Sequence, residues 1–225
     1  MKKLFFFVLV VGFTSCNNCI SLDFALPVRI VNPQVEYHLG DTIRVQSKFG
    51  RMVKGIVGLS HVRDVDMGGI QWYPYTLVSR IDTLYQDYPY YHPSLVGSAF
   101  DFIENPNMAY YAAGDTVDVL LTGEYTYAND TFLLEYALVA QKVGTYLLHQ
   151  LTALELKGSQ QDFPGKCGRN PFFVEYYMNN EFGTYTGNNL GLLLESPNPY
   201  YNNAMYYDNV DRFYRHGGYC FRVVP

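Results

Sequence analysis

Apolar and polar residues alternate over short stretches of this chain, and a helical period is sustained almost nowhere. Thr42-Ile43-Arg44-Val45-Gln46-Ser47-Lys48-Phe49 mixes β-branched and polar residues in partial alternation, which predicts a strand buried on one face. Thr116-Val117-Asp118-Val119-Leu120-Leu121 does the same. The run from Phe132 to Ala140 is mostly apolar, a pattern that buried strands and helices share. The turn signal Lys142-Val143-Gly144-Thr145 decides for a strand, and Tyr146 to Leu151 leaves that turn as the next one. Phe172 to Tyr177 and Tyr219 to Val224 are also strand-like. The best helical stretch, Asp208 to His216, is stopped by Gly217-Gly218 after one or two turns. The expected fold class is all-β.

One pattern occurs twice. Tyr37-His38-Leu39-Gly40-Asp41-Thr42-Ile43-Arg44-Val45 and Tyr111-Ala112-Ala113-Gly114-Asp115-Thr116-Val117-Asp118-Val119 share Tyr-x-x-Gly-Asp-Thr, a β-branched residue, any residue and Val. Gly takes positive φ and Asp bonds back to its own backbone, so Gly-Asp makes a turn; Thr and the β-branched residue then start a strand. The spacing suits two immunoglobulin-like β-sandwich modules packed together, residues 26–105 and 106–225, divided near Asn105-Pro106-Asn107. The alternative is two similar hairpins within one domain.

The first residues have a different character. Lys2 and Lys3 precede the apolar run from Leu4 to Gly12, which is too short to span a bilayer, a task that takes about 20 apolar residues. It fits the core of a secretory signal. Phe13-Thr14-Ser15-Cys16 then resembles a lipobox, with Phe13 in place of the commoner Leu. An ordinary secretory signal calls for a small-x-small cleavage site, which Thr14-Ser15 serves poorly. The resemblance implies a cleaved signal peptide over residues 1–15, lipid on Cys16, and a tether over residues 16–25. Cys19 follows Asn17-Asn18 and is no rival acceptor. Two or more acyl chains anchor durably without a transmembrane helix.

Loss of Lys2 and Lys3 leaves 14 basic residues against 21 acidic ones, a mature net charge of −7. A chain so acidic, without basic clusters, has no footprint for nucleic acid or anionic lipid surfaces. Its 48% hydrophobic content, with 22 Tyr and 15 Phe, is that of a globular protein. With Cys16 lipidated and Cys19 in the tether, Cys167 and Cys220 are the expected disulfide in an oxidising compartment. Cys167-Gly168-Arg169-Asn170 offers no metal-ligand spacing.

The Gly-Asp-Thr turns, the Val143-Gly144-Thr145-Tyr146 turn-strand and the closing Gly217-Gly218-Tyr219-Cys220-Phe221-Arg222-Val223 resemble segments of Bacteroidetes lipoproteins with sandwich-like domains. That resemblance is carried by structural turns and implies no catalytic or binding residues. In that group surface export goes with acidic residues just after the acylated Cys, whereas here Asp23 is the first acid. An outer-membrane anchor facing the periplasm is therefore expected over display on the cell surface.

Candidate chemistry is sparse. There is no Gly-x-Ser-x-Gly, and His38, His61, His92, His149 and His216 show no metal-ligand spacing. His149, in an apolar strand, reads as a hydrogen-bonded core histidine. Asp64-Val65-Asp66-Met67-Gly68-Gly69 fails the calcium-loop pattern at its fifth and twelfth positions and reads as a polar turn. No cofactor or metal is expected. Two stretches rich in Tyr and Asn, around Gln71 to Tyr91 and Asn198 to Asp208, could hold a glycan through Tyr73, Tyr88, Tyr91, Tyr200 and Tyr201, or simply pack loops onto a sandwich. Asp-Thr-apolar triplets at Thr42, Thr83 and Thr116 resemble the O-glycosylation acceptor of exported Bacteroidetes proteins. The expected role is a non-enzymatic, membrane-anchored structural or interaction protein with envelope proteins as partners; the alternative is a glycan-binding accessory protein.

Overall fold

The computed structural model describes residues 23–57, 61–84, 93–115, 118–152 and 174–225. In chain order its strands begin with β1 (Asp23–Val31), β2 (Glu36–His38), β3 (Thr42–Gly50), β4 (Met52–Val57), β5 (His61–Asp66), β6 (Pro74–Arg80) and β7 (Phe100–Ile103). There follow β8 (Tyr110–Gly114), β9 (Val119–Gly123), β10 (Thr126–Ala128), β11 (Thr131–Ala140), β12 (Gly144–Thr152), β13 (Val174–Met178) and β14 (Tyr219–Val224). They form two sheets. An eight-stranded sheet runs β10-β11-β3-β1-β4-β5, with β13 added beside β1 and β7 beside β11; a six-stranded sheet runs β2-β14-β12-β6-β9-β8. The all-β expectation holds, and the strands expected at β3, β11, β12 and β14 are present.

The two-module division does not survive. β3 pairs with β11 from Thr42↔Val139 to Gly50↔Thr131, and β6 pairs with β12 from Pro74↔Thr152 to Arg80↔Tyr146. Both ladders cross the expected boundary at 105/106, so residues from either side share each sheet. The duplicated turn explains the misreading. Its first copy carries the chain from β2 in the six-stranded sheet to β3 in the eight-stranded one, with His38 N–H donating to Asp41 Oδ2 at 2.7 Å. Its second copy joins β8 to β9 within one sheet, with Asp118 N–H donating to Asp115 Oδ1 at 3.0 Å. One local chemistry serves two topologies. Asp23, Phe24 and Ala25, expected outside the sandwich, belong to β1, and Phe24 is fully buried; residues 16–22 lie outside the described residues.

Alternation sets the core between the sheets. Leu134, Tyr136 and Leu138 of β11 face Val78 of β6 and Tyr146 and Leu148 of β12. Trp72 is buried among rings, edge-on to Phe24 at 5.5 Å and to Phe132 at 6.3 Å. The residues between these, Leu147, His149 and Leu151 on β12, point to the other face of the six-stranded sheet. That face is covered by helical turns at Leu190–Glu195, Tyr200–Met205 and Val210–Tyr214, which bury Ile81, Leu147, Leu193, Met205, Phe213 and Cys220 in a second apolar cluster. Covered on both faces, β12 reads as a nearly continuous apolar run, as such strands do.

The last two helical turns are wide. Arg215 N–H donates to Val210 O at 3.0 Å and Gly218 N–H to Phe213 O at 2.8 Å, each a five-residue step. Gly217, at φ +54°, lets the chain reverse into β14.

Candidate functional site

A cleft of about 460 Å³ opens between the six-stranded sheet and the helical layer. Its floor consists of the outward residues of two neighbouring strands: Tyr75, Leu77 and Ser79 of β6, and Leu151, His149 and Leu147 of β12, paired in that order. Its walls are Tyr200, Tyr201 and Met205 from one helical turn, then Arg212 and His216 from the next segment. The strand period places the floor, since residues two apart share a face.

The polar side chains here are held in place. Arg212 Nε bonds Asp208 Oδ2 at 2.8 Å, one helical turn back. His149 and His216 lie with ring centroids 6.4 Å apart. His216 is exposed at its edge, yet the protein around the ring lowers its pKa by desolvation, with Arg215 acting the same way and Asp211 against it. Among the described residues lining the cleft there is no carboxylate and no amide.

His216 also borders a second cavity of about 380 Å³, lined by Asp23, Val174, Glu175, Asp211 and Arg215. Glu175 there accepts a hydrogen bond from Tyr177 and pairs with Arg215 Nε at 3.2 Å. Burial nevertheless raises its pKa above the ordinary value. A larger hollow of about 620 Å³ along β1 has no aromatic side chain among the described residues that line it.

Of the tyrosines singled out in the sequence, Tyr200 and Tyr201 reach the cleft, Tyr200 half-buried and Tyr201 buried. Tyr73 is half-buried and donates to Gln71 Oε1 at 2.9 Å. Tyr88 and Tyr91 lie outside the described residues, as do Cys16, Cys167 and Thr116. Cys220 is fully buried and forms no disulfide among the described residues. Thr42 is exposed at the start of β3; Thr83 is half-buried, its hydroxyl 3.4 Å from Asp82 Oδ1.

Two asparagines of the second stretch, and Asn209 just beyond it, are engaged in local hydrogen bonds, whereas Asn203 is exposed. Asn198 Oδ1 accepts from Tyr200 N–H at 2.9 Å, Asn202 Nδ2 donates to Ser196 O at 2.7 Å, and Asn209 Nδ2 donates to Tyr206 O at 2.9 Å. Trp72 is likewise spent on the core. Asp64 to Asp66 of the expected polar turn are the end of β5 and Met67 is buried in the core; only the part that follows turns, with Gly68 N–H donating to Asp66 Oδ1 at 2.9 Å and Arg51 paired to the same carboxylate. Tyr75, His149, Arg212 and His216 were not read as a site in the sequence. The alternation of β6 and β12 was the available signal for the floor, while the wall depends on how the helical turns fold back.

The chain matches no known protein family and no curated protein. Among solved structures it is similar to the human F-spondin reeler domain, at 10% identity and a TM-score of 0.35, over 67% of this chain and 81% of that one. It is also similar to AvmM, described as catalysing macrocyclization in alchivemycin A biosynthesis, at 10% identity and a TM-score of 0.27, over 66% and 83%. Neither likeness is close enough to carry an argument about function.

Proposed function

We propose that this chain is a Bacteroidetes-type envelope lipoprotein, held by lipid on Cys16 in the outer membrane and facing the periplasm, whose immunoglobulin-like sandwich binds a ligand or partner without transforming it. The anchor is supported by the Phe13-Thr14-Ser15-Cys16 pattern behind a short apolar run. The binding role is carried by one observation: the cleft over β6 and β12, whose volume falls within the roughly 300–1,000 Å³ of small-molecule sites. β1 begins at Asp23, so the seven-residue link from Cys16 reaches at most about 25 Å and keeps the sandwich near the membrane.

Two experiments test this reading. Feeding cells an alkyne-tagged palmitate should label the wild-type protein in the membrane fraction, and Cys16→Ala should lose both label and fractionation. An unlabelled wild-type protein overturns the anchor. For the cleft, a photo-crosslinking residue at Tyr200 should trap an adduct in native envelopes that the same residue at exposed Tyr207 does not. Identical products from both positions, or none from Tyr200, overturn the binding role.

The glycan-binding alternative has one supporting feature, the aromatic rings of Tyr75 and Tyr200 on the cleft. Against it stands the internal use of the Asn198 and Asn202 side chains, and among the described residues no amide or carboxylate lines the cleft.

A further inference from the structure

We infer that the cleft over β6 and β12 takes an anionic amphiphile, a small molecule with an apolar body and a carboxylate or phosphate head. This inference rests on the binding role proposed above and names the class of ligand.

Three observations carry it. The first is the apolar character of the floor and inner wall, where Leu77, Leu147 and Leu151 lie opposite Met205 and Tyr201. Those side chains accept an aliphatic or aromatic body and offer nothing to a ligand that is polar all round. The second is the sense of the polar groups. Arg212 has only donors, and Tyr200, Ser79 and the two imidazoles can each donate, whereas the described lining contains no carboxylate or amide acceptor. A ligand matched to such a surface presents acceptors, which is the chemistry of an anionic head. A neutral sugar brings neither a charge for Arg212 nor an apolar body for the leucines.

The third is the contrast with the rest of the molecule. In a chain with a net charge of −5, the described residues of this lining include no acidic one, while an arginine is placed among them. Asp208 does not cancel that arrangement. It occupies the Nε edge of Arg212 and fixes the guanidinium's direction, and the planar group carries further N–H donors able to meet a carboxylate. The location agrees with the ligand. Asp23 and His216 line one cavity and His216 borders the cleft, so the lipid tether holds this end of the sandwich within reach of the bilayer, where amphiphiles concentrate.

The test is calorimetric titration of the full mature protein with octanoate, 1-octanol and lactose, each far below any concentration of self-association. Octanoate should bind at one saturable site, with octanol and lactose at least tenfold weaker. Arg212→Gln should weaken octanoate about tenfold, as expected for one hydrogen bond to a charged group, and leave octanol unchanged. Arg212 is exposed, so this variant should fold; Leu151→Trp, which fills the floor, should block octanoate without touching Arg212. Octanol binding as tightly as octanoate, or an Arg212→Gln variant indistinguishable from wild type, overturns the anionic class. Lactose binding in place of octanoate overturns it too. In each of these cases the crosslinking result from Tyr200 still stands or falls separately, so failure of the ligand class is distinguishable from failure of the binding role.

Discussion

The hydroxyl of Tyr136 donates to Oε1 of Gln150 at 3.1 Å inside the sandwich, joining β11 of one sheet to β12 of the other. Thr76 completes the cluster from β6, its hydroxyl 2.9 Å from the same Gln150 oxygen and 2.7 Å from the Tyr110 hydroxyl. Gln150 Nε2 in turn donates to Tyr75 O at 3.1 Å. Buried polar groups satisfied in this way hold two sheets in one register, and removing one member strands the others. Gln150→Leu should therefore cost about 2–3 kcal/mol, more than the roughly 1 kcal/mol expected for Tyr136→Phe. Urea denaturation of both variants checks the order, and equal losses would show that the amide is not the hub.

The β8–β9 hairpin depends on a glycine. Gly123 sits at φ +150°, and a Cβ there would lie 1.8 Å from the carbonyl oxygen of Ala109. No side-chain adjustment relieves a clash with backbone. Gly123→Ala should cost about 3 kcal/mol, the upper range for overpacking. The thermal midpoint measures the loss, while Gly40→Ala, where a Cβ meets nothing within 4 Å, reports the cost of positive φ alone.

Glu175 sets a pH dependence. Burial raises its pKa above the ordinary 4.5, outweighing the hydrogen bond from Tyr177 and the charge of Arg215, with Asp23 and Asp211 adding to the rise. A carboxyl whose folded-state pKa exceeds its unfolded one binds its proton more tightly when folded. Its contribution to stability is then full below the unfolded value and is lost as pH rises through the folded one. Glu175→Gln should flatten the fall in urea midpoint that wild type shows from about pH 4.5 upward. An unchanged slope would assign that dependence to other groups.

The sequence-based disulfide has a direct test. Non-reducing digestion of protein from the native envelope should yield Cys167 and Cys220 in one peptide pair, separated on reduction. Two unlinked thiol peptides would leave Cys220 as a buried free thiol. Intact mass of the same preparation bears on Thr42, Thr83 and Thr116, since a mass equal to polypeptide plus lipid excludes glycosylation there.

Much of the sandwich was legible where a strand has one wet face or two dry ones. β3 shows its alternation from Thr42 to Phe49, and β11 and β12 announce themselves as apolar runs parted by Gly144. What escaped was partnership. Nothing local distinguishes the Asp41 turn, which changes sheets, from the Asp115 turn, which does not, because Gly-Asp chemistry acts over four residues and sheet choice is made by the rest of the chain. The helical layer was nearly silent for a different reason. Its wide turns at Tyr200–Met205 and Val210–Tyr214 do not keep the 3.6-residue period that sequence patterns detect. The cleft needs both, so Tyr200 could be suspected from composition while its neighbours His149 and Arg212 could not.

The position of β14 has a consequence for export. This strand, from Tyr219 to Val224, lies inside the six-stranded sheet, flanked by β2 near the beginning of the fold and by β12. A chain threaded through a membrane from its amino end delivers β2 early and β14 late. Until β14 arrives, β2 has no neighbour in its sheet and β12 lacks one edge, while the face that will carry the cleft stays open to water. Under the export and lipid anchoring proposed above, the six-stranded sheet is therefore completed only once β14 has crossed the membrane.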